Sequence, residues 1–316
     1  GQLPAAEIST FDPTLSEVPL ERLVDIGREI IAILRAADPD GKIDVDIERM
    51  AGRSGLHNSA GARVDQTASG LYISMSMERV RGDDVLMVGD GTAATGLTDD
   101  YRAVAERVAS RVVSANKGAS IDSGRMPVLF TPSGSILLLL PLLMALNGQH
   151  VRRGTSPLAN RLGEQIMDPR LTLWDDPTLP GRPASAAYDD EGVPTRRKAL
   201  IREGVAETFL YDLKTAALMG TESTGNGARS LFSLPSPSTA NLVLEAGDKP
   251  LADMVASISH GLLVDELLGL GQGNPLSGAF SNPVGLAYVI EDGEIVGRVK
   301  DVTLAGNVYD VLKSVG

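Results

Sequence analysis

The spacing of apolar residues divides the first third of the chain into helices and strands. Between residues 20 and 34 the apolar positions recur every three or four residues, and Asp38-Pro39 follows as a stop signal, which predicts an amphipathic helix. From residue 43 to residue 77 they alternate with polar residues on either side of an Asn-Ser-Ala-Gly turn at residues 58–61, which predicts half-buried antiparallel strands. Helical spacing returns between residues 101 and 112.

The remainder of the chain combines shorter strands and helices with turn signals. A polar run with glycines at residues 117–124 separates it from the first part and is the predicted domain boundary. Beyond this run the pattern predicts a strand at 127–130, an apolar helix at 135–146, a helix at 157–167, a long ordered loop at 171–195, hairpins around Glu203-Gly204 and Asp292-Gly293, a helix at 250–259 and a last helix starting near Asn307.

This order of elements predicts an α+β fold of two parts, with mixed, largely antiparallel sheets packed by helices. Residues 1–120 form the predicted N-terminal α+β region, and residues 121–316 form the predicted C-terminal domain.

Composition and charge narrow the function classes. The 316 residues include 29 Lys and Arg against 41 Asp and Glu, a net charge of −12, which disfavours a nucleic-acid partner because phosphates would be repelled. The chain contains no cysteine, which excludes disulfides, thiolate nucleophiles and cysteine-based metal sites. The longest apolar stretch, residues 136–146, is much shorter than the ~20 residues that span a bilayer, and no signal peptide opens the chain. These observations predict a cytoplasmic protein without a membrane partner.

Two local patterns resemble catalytic motifs, and for each a structural role is the favoured interpretation. Gly89-Asp90-Gly91 resembles a dinucleotide-binding turn, but the third glycine comes too late, so a plain strand-to-helix loop is expected. Ser133 and Ser135 lack the frame of a nucleophile elbow and are expected to cap a helix. The chain's three histidines include no pair at metal-ligand spacing.

Two polar segments remain open as binding sites. Asp189-Asp190-Glu191-Gly192 groups carboxylates that could bind a hard cation or a substrate amine, or could form a solvated loop balanced by the basic residues 196–198. Residues 220–227 offer backbone N–H groups and small hydroxyls. Such a segment could cradle an anion or an extended peptide, or could be only a connection.

Taken together, several short motifs resemble the TldD/PmbA family, and within it the PmbA (TldE) branch. The resemblance runs from about Asn58 to the C-terminus, and its motifs share the order and spacing of the family. They are Asn-Ser-Ala-Gly at 58–61, GRMPVLFTP at 124–132, RRGTS at 152–156, Leu-Gly-Glu at 162–164, Asp-Asp-Glu-Gly at 189–192, STGNG at 223–227 and Leu-Ala-Gly-Asn at 304–307. Family members usually have a further N-terminal α/β segment, which is partly absent here, and a longer C-terminal strand region.

For the TldD-like branch, the resemblance implies a zinc peptidase whose helix carries His-Glu-x-x-x-His, with a late cysteine completing the metal site. Counting back from Arg152 places the motif positions of this chain on Leu139, Leu140 and Met144. Leucine has no lone pair for Zn²⁺, a thioether is a poor zinc ligand, and Leu140 cannot act as a general base. We therefore expect no catalytic residues and no metal in this chain, with zinc only in a TldD-like partner, and expect the helix to have become core.

The PmbA/TldE-like branch, as the resemblance implies, lacks metal ligands and pairs with a TldD-like metallopeptidase that acts on peptides or unfolded chains. This predicts a non-catalytic subunit with peptide substrate, able to form a homodimer when alone. The residues expected to line the peptide chamber are Asp189, Glu191, Ser223, Thr224 and Asn226. The alternative is a regulatory or binding protein of the DNA gyrase modulator type without a protease role. An enzyme with a non-metal site is a third possibility.

Overall fold

The computed structural model describes residues 8–59 and 61–316, in which helices and strands alternate irregularly along the chain. The helices are α1 (Leu20–Ala37), α2 (Asp100–Ser114), α3 (Ile136–Leu146), α4 (Gly148–Arg152), α5 (Leu213–Met219), α6 (Leu251–Ala256) and α7 (Val308–Val311). The strands are β1 (Lys42–His57), β2 (Arg63–Arg81), β3 (Asp84–Ala94), β4 (Val128–Phe130), β5 (Leu173–Asp175), β6 (Lys198–Arg202), β7 (Val205–Ala206), β8 (Gly227–Ala228), β9 (Ser236–Pro237), β10 (Leu242–Leu244), β11 (His260–Leu267), β12 (Ala279–Glu291), β13 (Glu294–Val299) and β14 (Thr303–Asn307).

The N-terminal part contains a three-stranded antiparallel sheet in the order β1-β2-β3. Every second residue of β2 from Leu71 to Met77 is buried in a cluster with apolar residues of α1 and α2, as the alternating pattern predicts. The expected strands are therefore confirmed, and both extend beyond the alternating apolar residues that predicted them. The expected strand-to-helix loop at Gly89-Asp90-Gly91 is wrong, because these residues continue β3. Gly91 lies so close to β2 that a Cβ would be 2.9 Å from the Ile73 carbonyl oxygen.

A five-stranded sheet with the order β13-β12-β11-β4, in which β14 also pairs with β12, forms the centre of the molecule. Only β4, which is parallel to β11, departs from the antiparallel arrangement among these pairs. Leu263 and Tyr288 on one face join the cluster of α1 and α2, whereas Leu262 and Val289 on the other face join a cluster with Leu137 of α3. The sheet therefore has helices on both faces, with the apolar side chains alternating between them.

A smaller sheet, with the order β10-β5-β6-β7, packs its apolar residues with those of α3 around Phe209. Both expected hairpins are confirmed. Glu203 and Gly204 connect β6 to β7 with φ of 48° and 78°, and Asp292 and Gly293 connect β12 to β13 with φ of 48° and 81°. Positive φ at both central residues is typical of the tight turns whose twist matches antiparallel strands.

The expected helix at 157–167 is wrong, since these residues form turns. Their backbone groups bond to distant segments: Gly163 N–H donates to the Ala206 carbonyl at 2.8 Å, and Ile166 N–H donates to the Gly204 carbonyl at 2.8 Å.

The loop expected at 171–195 contains the short strand β5. The α+β class with mixed, largely antiparallel sheets is confirmed. The division of the chain at residue 120 stays a prediction. Within the described residues, every helix is too short or too polar to span a bilayer.

Candidate functional site

A cavity of about 2180 Å³ lies against the central sheet and is walled on another side by α3. All five strands of that sheet contribute to its lining, which includes Phe130 of β4 and Leu304 of β14. Leu138, Leu139 and Leu142 of α3 line it from the helix. Pockets for small ligands usually enclose roughly 300–1,000 Å³, so this cavity has room for a peptide segment.

The side chains that α3 presents to this cavity do not fit a zinc ion. Leu139 lines the cavity, and Leu140 and Met144 are half-buried on the same helix. The expectation that the helix has become core is correct for Leu142 and Leu146, which are fully buried. It is partly correct for Leu139, which is half-buried and packs against the same core cluster, whereas Leu140 and Met144 are half-buried outside the core clusters. No group of three His, Asp or Glu side chains in residues 8–59 and 61–316 is placed to hold a metal ion. The donors that zinc requires are not present along this helix.

Asp189 and Glu191 use their carboxylates to hold backbone segments in place. Asp189 accepts hydrogen bonds from the backbone N–H groups of Glu191 at 3.0 Å, Val193 at 2.9 Å and Gly227 at 2.8 Å. Glu191 accepts one from the Leu213 N–H, at the start of α5, at 2.7 Å. The two carboxylates thus join their own turn to α5 and to β8.

Ser223 and Thr224 bind the backbone of Tyr211. The Thr224 hydroxyl accepts a hydrogen bond from the Tyr211 N–H at 2.8 Å, and the Ser223 hydroxyl donates to the Tyr211 carbonyl at 3.1 Å. Thr224 also contacts the Asn226 side-chain oxygen at 2.8 Å. Thr224 and Asn226 are buried, at 7% and 4% exposure, whereas Ser223 is half-buried. These hydroxyls therefore have partners within the chain.

Asn226 connects this segment to a buried ion pair. Its amide donates to Asp175 at 2.7 Å and to the Ser238 carbonyl at 2.7 Å. Asp175 is fully buried and accepts two more hydrogen bonds, from the Lys198 ammonium at 2.9 Å and the Ala240 N–H at 2.8 Å. The sequence pattern does not reveal this pair, because Lys198 ends a basic run whose other members, Arg196 and Arg197, are exposed. The apolar residues that follow Lys198 in β6 are the signal that could have revealed its burial.

The structure brings all five predicted chamber residues into one network, since Asp189 bonds to Gly227 directly after Asn226. The β1–β2 hairpin also reaches this network. Gly192, at φ 80°, packs against Leu56 and Val64, close to the Asn-Ser-Ala-Gly turn, of which residue 60 lies outside the described residues. None of these five residues belongs to the lining of the cavity beside α3. Whether they contact a peptide stays a prediction.

Comparison with known proteins places this arrangement in a family. Residues 123–316, more than half of the chain, match the family model described as the PmbA/TldA metallopeptidase C-terminal domain. The chain belongs to the TldD/PmbA family. The matched region includes α3, the Asp175–Lys198 pair and all five predicted chamber residues.

Curated TldD/PmbA relatives are longer than this chain. A metalloprotease TldD homolog from Haemophilus influenzae is 34% identical over 221 residues, which cover 68% of this chain and 45% of that protein. A metalloprotease from Methanothermobacter thermautotrophicus is 27% identical over 288 residues, which cover 89% of this chain and 63% of that protein. The chain therefore spans less than two thirds of the length of these relatives.

Solved structures of TldD/PmbA-type proteins resemble almost the entire chain. TldE from Thermococcus kodakarensis has a TM-score of 0.86 and 32% identity, and the match covers 99% of this chain and 71% of that one. A Thermotoga maritima protein with a proposed role as modulator of a DNA gyrase has a TM-score of 0.87 and 28% identity, covering 99% and 72%. The similarity in fold thus extends over almost the entire chain.

Burial shifts the pKa values of charged groups in the network around Asp189 and Asp175. It raises the pKa of Asp189 and of Glu191 above their usual values, and the neighbouring carboxylates raise them further. It also lowers the pKa of Lys198, although Asp175 opposes that shift. The site thus holds charges that its surroundings disfavour, which is a feature of functional sites and of structural ion-pair networks alike.

We expect the Glu191→Gln variant to be at least as stable as the wild type at pH 7, because glutamine keeps an oxygen for the Leu213 N–H and removes a poorly solvated charge. The folded-state pKa of Glu191 is raised, so the wild type loses stability as the pH rises through that pKa and regains it below the unfolded pKa of roughly 4.3. The difference between the proteins should therefore shrink toward pH 4. Urea denaturation at a series of pH values measures it, and a variant clearly less stable at pH 7 would show that the charge stabilises the fold.

Proposed function

We propose that this chain is the non-catalytic subunit of a TldD/TldE-type metallopeptidase, and that with a zinc-bearing, TldD-like partner it encloses a chamber in which peptides or unfolded chains are cleaved. The observation that carries the proposal is the apolar face of α3. Leu138, Leu139 and Leu142 line a peptide-sized cavity where the catalytic branch of the family would place its metal helix. The likeness to TldE from Thermococcus kodakarensis supports the same branch.

The chemical contribution of this subunit is to bind and enclose. Apolar side chains in the cavity can accept apolar residues of an extended substrate, and a chamber closed by two subunits would exclude folded proteins. Hydrolysis then depends on the partner, because α3 offers neither a zinc ligand nor a general base.

Reconstitution tests this function. We expect the purified chain to contain no stoichiometric zinc by mass spectrometry of metals and to cleave no unfolded peptide by itself. Mixed with a TldD-like partner, it should give cleavage above that of either protein alone. A partner whose motif glutamate is changed to glutamine is the control, and it should remove cleavage from the mixture. Stoichiometric zinc together with cleavage by this chain alone would refute the proposal.

The five chamber residues and the self-association of the chain are part of the same proposal. Ser223→Ala is the mildest probe, because Ser223 is half-buried whereas Thr224 and Asn226 are buried, and the variant removes two hydrogen bonds, one donated to the Tyr211 carbonyl and one accepted from the Gly225 N–H. A chamber role requires a change in KM or kcat of the reconstituted complex at unchanged thermal stability. Native mass spectrometry would show whether the isolated chain forms a homodimer and whether the partner replaces one copy.

A second candidate function is regulation of DNA gyrase by protein contact. It is favoured by the proposed role of the Thermotoga maritima protein that this chain resembles in structure. The net charge of −12 favours contact with the protein rather than with DNA. Co-purification from native cells separates the two candidates, since recovery of gyrase without any peptidase would favour regulation.

A further inference from the structure

Four cationic side chains line one part of the cavity. They are Arg79 and Arg81 at the end of β2, and Arg298 and Lys300 at the end of β13. We call this group the cationic end. Its concentration of positive charge contrasts with the chain as a whole, whose net charge is −12.

The cationic end contains more positive than negative charge at close range. Arg79 contacts Asp38 at 2.9 Å, while Arg298 and Lys300 share Asp84 at 3.0 Å and 2.9 Å. Arg81 has only longer contacts, to Asp38 at 3.4 Å and to the exposed Asp40 at 3.9 Å. The arginines hold the pKa of Asp38 below its usual range, and Lys300 and Arg298 do so for Asp84, so both carboxylates are charged. Four cations therefore face Asp38 and Asp84 at close range, while Asp40 is 3.9 Å from Arg81 and exposed, and Asp301 lines the cavity next to Lys300 in the chain.

The four side chains of the cationic end differ in their exposure. The Arg79 and Arg298 side chains are only 4% and 8% exposed, and within the described residues the Nε–H of each is buried without an acceptor. The Arg81 and Lys300 side chains are 54% and 48% exposed, so their charged groups can reach a ligand. The two buried arginines add positive charge to the electrostatic potential at this part of the cavity. The half-exposed Arg81 and Lys300 supply hydrogen-bond donors that a ligand can reach. This combination favours a small anion with several acceptor oxygens.

The rest of the cavity lining restricts what that anion is attached to. Leu138, Leu139 and Leu142 of α3 and Phe130 of β4 line the same cavity. A free inorganic anion would leave these apolar side chains uncovered. An extended peptide would bury them while presenting a carboxylate to the cationic end. The terminal carboxylate suits this better than an acidic side chain, because a chain end can meet a wall of the cavity without the backbone continuing past it.

We propose that the cationic end binds the C-terminal carboxylate of an extended peptide whose preceding apolar residues lie over the leucines of α3. This inference rests on the proposed function, since it names the class of peptide that the chamber would hold. Peptides with a free, apolar C-terminus are then bound in preference to peptides with a blocked end. Arg81 and Lys300 are the residues that distinguish the two.

Isothermal titration calorimetry of the full chain with three synthetic peptides tests the proposal. The first peptide is Ser-Gly-Val-Leu-Ala-Val-Leu with a free C-terminus, the second is the same peptide amidated, and the third is amidated with glutamate in place of serine. We expect the free acid to bind about 10-fold more tightly than either amidated form, as for one charge-assisted contact. Preference for the glutamate peptide would assign the site to side-chain carboxylates and overturn the proposal of a terminal one.

Variants connect this preference to the cationic end. The double variant Arg81→Gln/Lys300→Gln should bind the free acid no better than the amide, with the affinity for the amide unchanged. The double variant Arg28→Gln/Lys42→Gln is the matched control. It also removes two positive charges, but from exposed side chains that do not line the cavity. Thermal unfolding checks that both variants are folded. An Arg81→Gln/Lys300→Gln variant that keeps the preference would contradict the proposal.

The outcomes separate this inference from the proposed function. Equal binding of all three peptides would overturn the carboxylate site and leave the subunit role standing. No binding of any peptide would also overturn the site, and the reconstitution assay would then decide on the subunit role by itself.

Discussion

Replacing Asp175 by alanine will lower the free energy of unfolding by about 3–5 kcal/mol. Asp175 is fully buried, and the Lys198 side chain beside it is only 8% exposed. The variant leaves the Lys198 ammonium without its counter-charge, and it also removes the acceptor of the Ala240 N–H and one of the two acceptors of the Asn226 amide. A buried charge or donor without a partner retains its full desolvation penalty, which explains the size of the effect. Urea denaturation at pH 7 measures it.

Asp25→Ala is the matched control for Asp175→Ala. Asp25 contacts Arg28 at 3.0 Å, a distance similar to that of the buried pair, but both side chains are more than half exposed. Water replaces the lost contact there, so the expected change is within about 0.5 kcal/mol. Asp175→Asn should recover part of the stability, since its amide oxygen still accepts a hydrogen bond. A loss for Asp175→Ala as small as that of the control would show that water reaches Lys198 in the folded protein.

Replacing Gly204 by alanine will give the second largest loss, about 2–5 kcal/mol. Gly204 has φ of 78° at the β6–β7 turn, a backbone conformation that disfavours any side chain. A Cβ there would also lie 2.3 Å from the Met167 carbonyl oxygen and 2.9 Å from that of Asp168. These are backbone atoms, so relieving the contact requires the neighbouring segment to move. Thermal or urea unfolding measures the loss.

Gly163→Ala separates the two causes. Gly163 has nearly the same φ, 79°, but nothing lies within 4 Å of the position that its Cβ would occupy. This variant should lose only the roughly 1–2 kcal/mol of the unfavourable backbone conformation. The difference between the two variants is then the effect of the close contact. Equal losses would mean that the segment around Met167 adjusts without cost.

Local patterns in the sequence predicted elements whose strands pair with the segments next to them in the chain. The alternation from Leu71 to Met77 predicted β2, and Glu203-Gly204 and Asp292-Gly293 predicted two hairpins, all of which the structure confirms. The pattern failed where distant segments supply the hydrogen-bond partners. Residues 157–167 have apolar residues at helical spacing, but their backbone forms only isolated turn bonds with itself and otherwise bonds to Gly204 and Ala206. A short stretch of sequence does not show which distant segments compete for its backbone hydrogen bonds.

In the candidate site, too, local motifs predicted some features, while others depend on contacts between distant segments. The motif segments identified the Asp189 and Asn226 regions, and the structure joins them at Gly227, whose N–H donates to Asp189 and whose carbonyl accepts from the Asp190 N–H. Charge spacing could not identify the cationic end, because Arg298 meets Asp84 across 214 positions of sequence. Nor could composition separate the buried Lys198 from the exposed Arg197 beside it. Burial of a charge depends on what the rest of the chain packs around it.

The sequence by itself determined the α+β class, the tight turns, the exclusion of cysteine chemistry and the resemblance to the TldD/PmbA family, because each of these depends on residue types and short spacings. Only the tertiary structure decided that Leu139 faces a peptide-sized cavity, that Asp175 and Lys198 are withdrawn from water, and that four cations share one end of that cavity. The physical reason is that desolvation and electrostatic pairing are properties of a packed environment, which segments far apart in sequence create together.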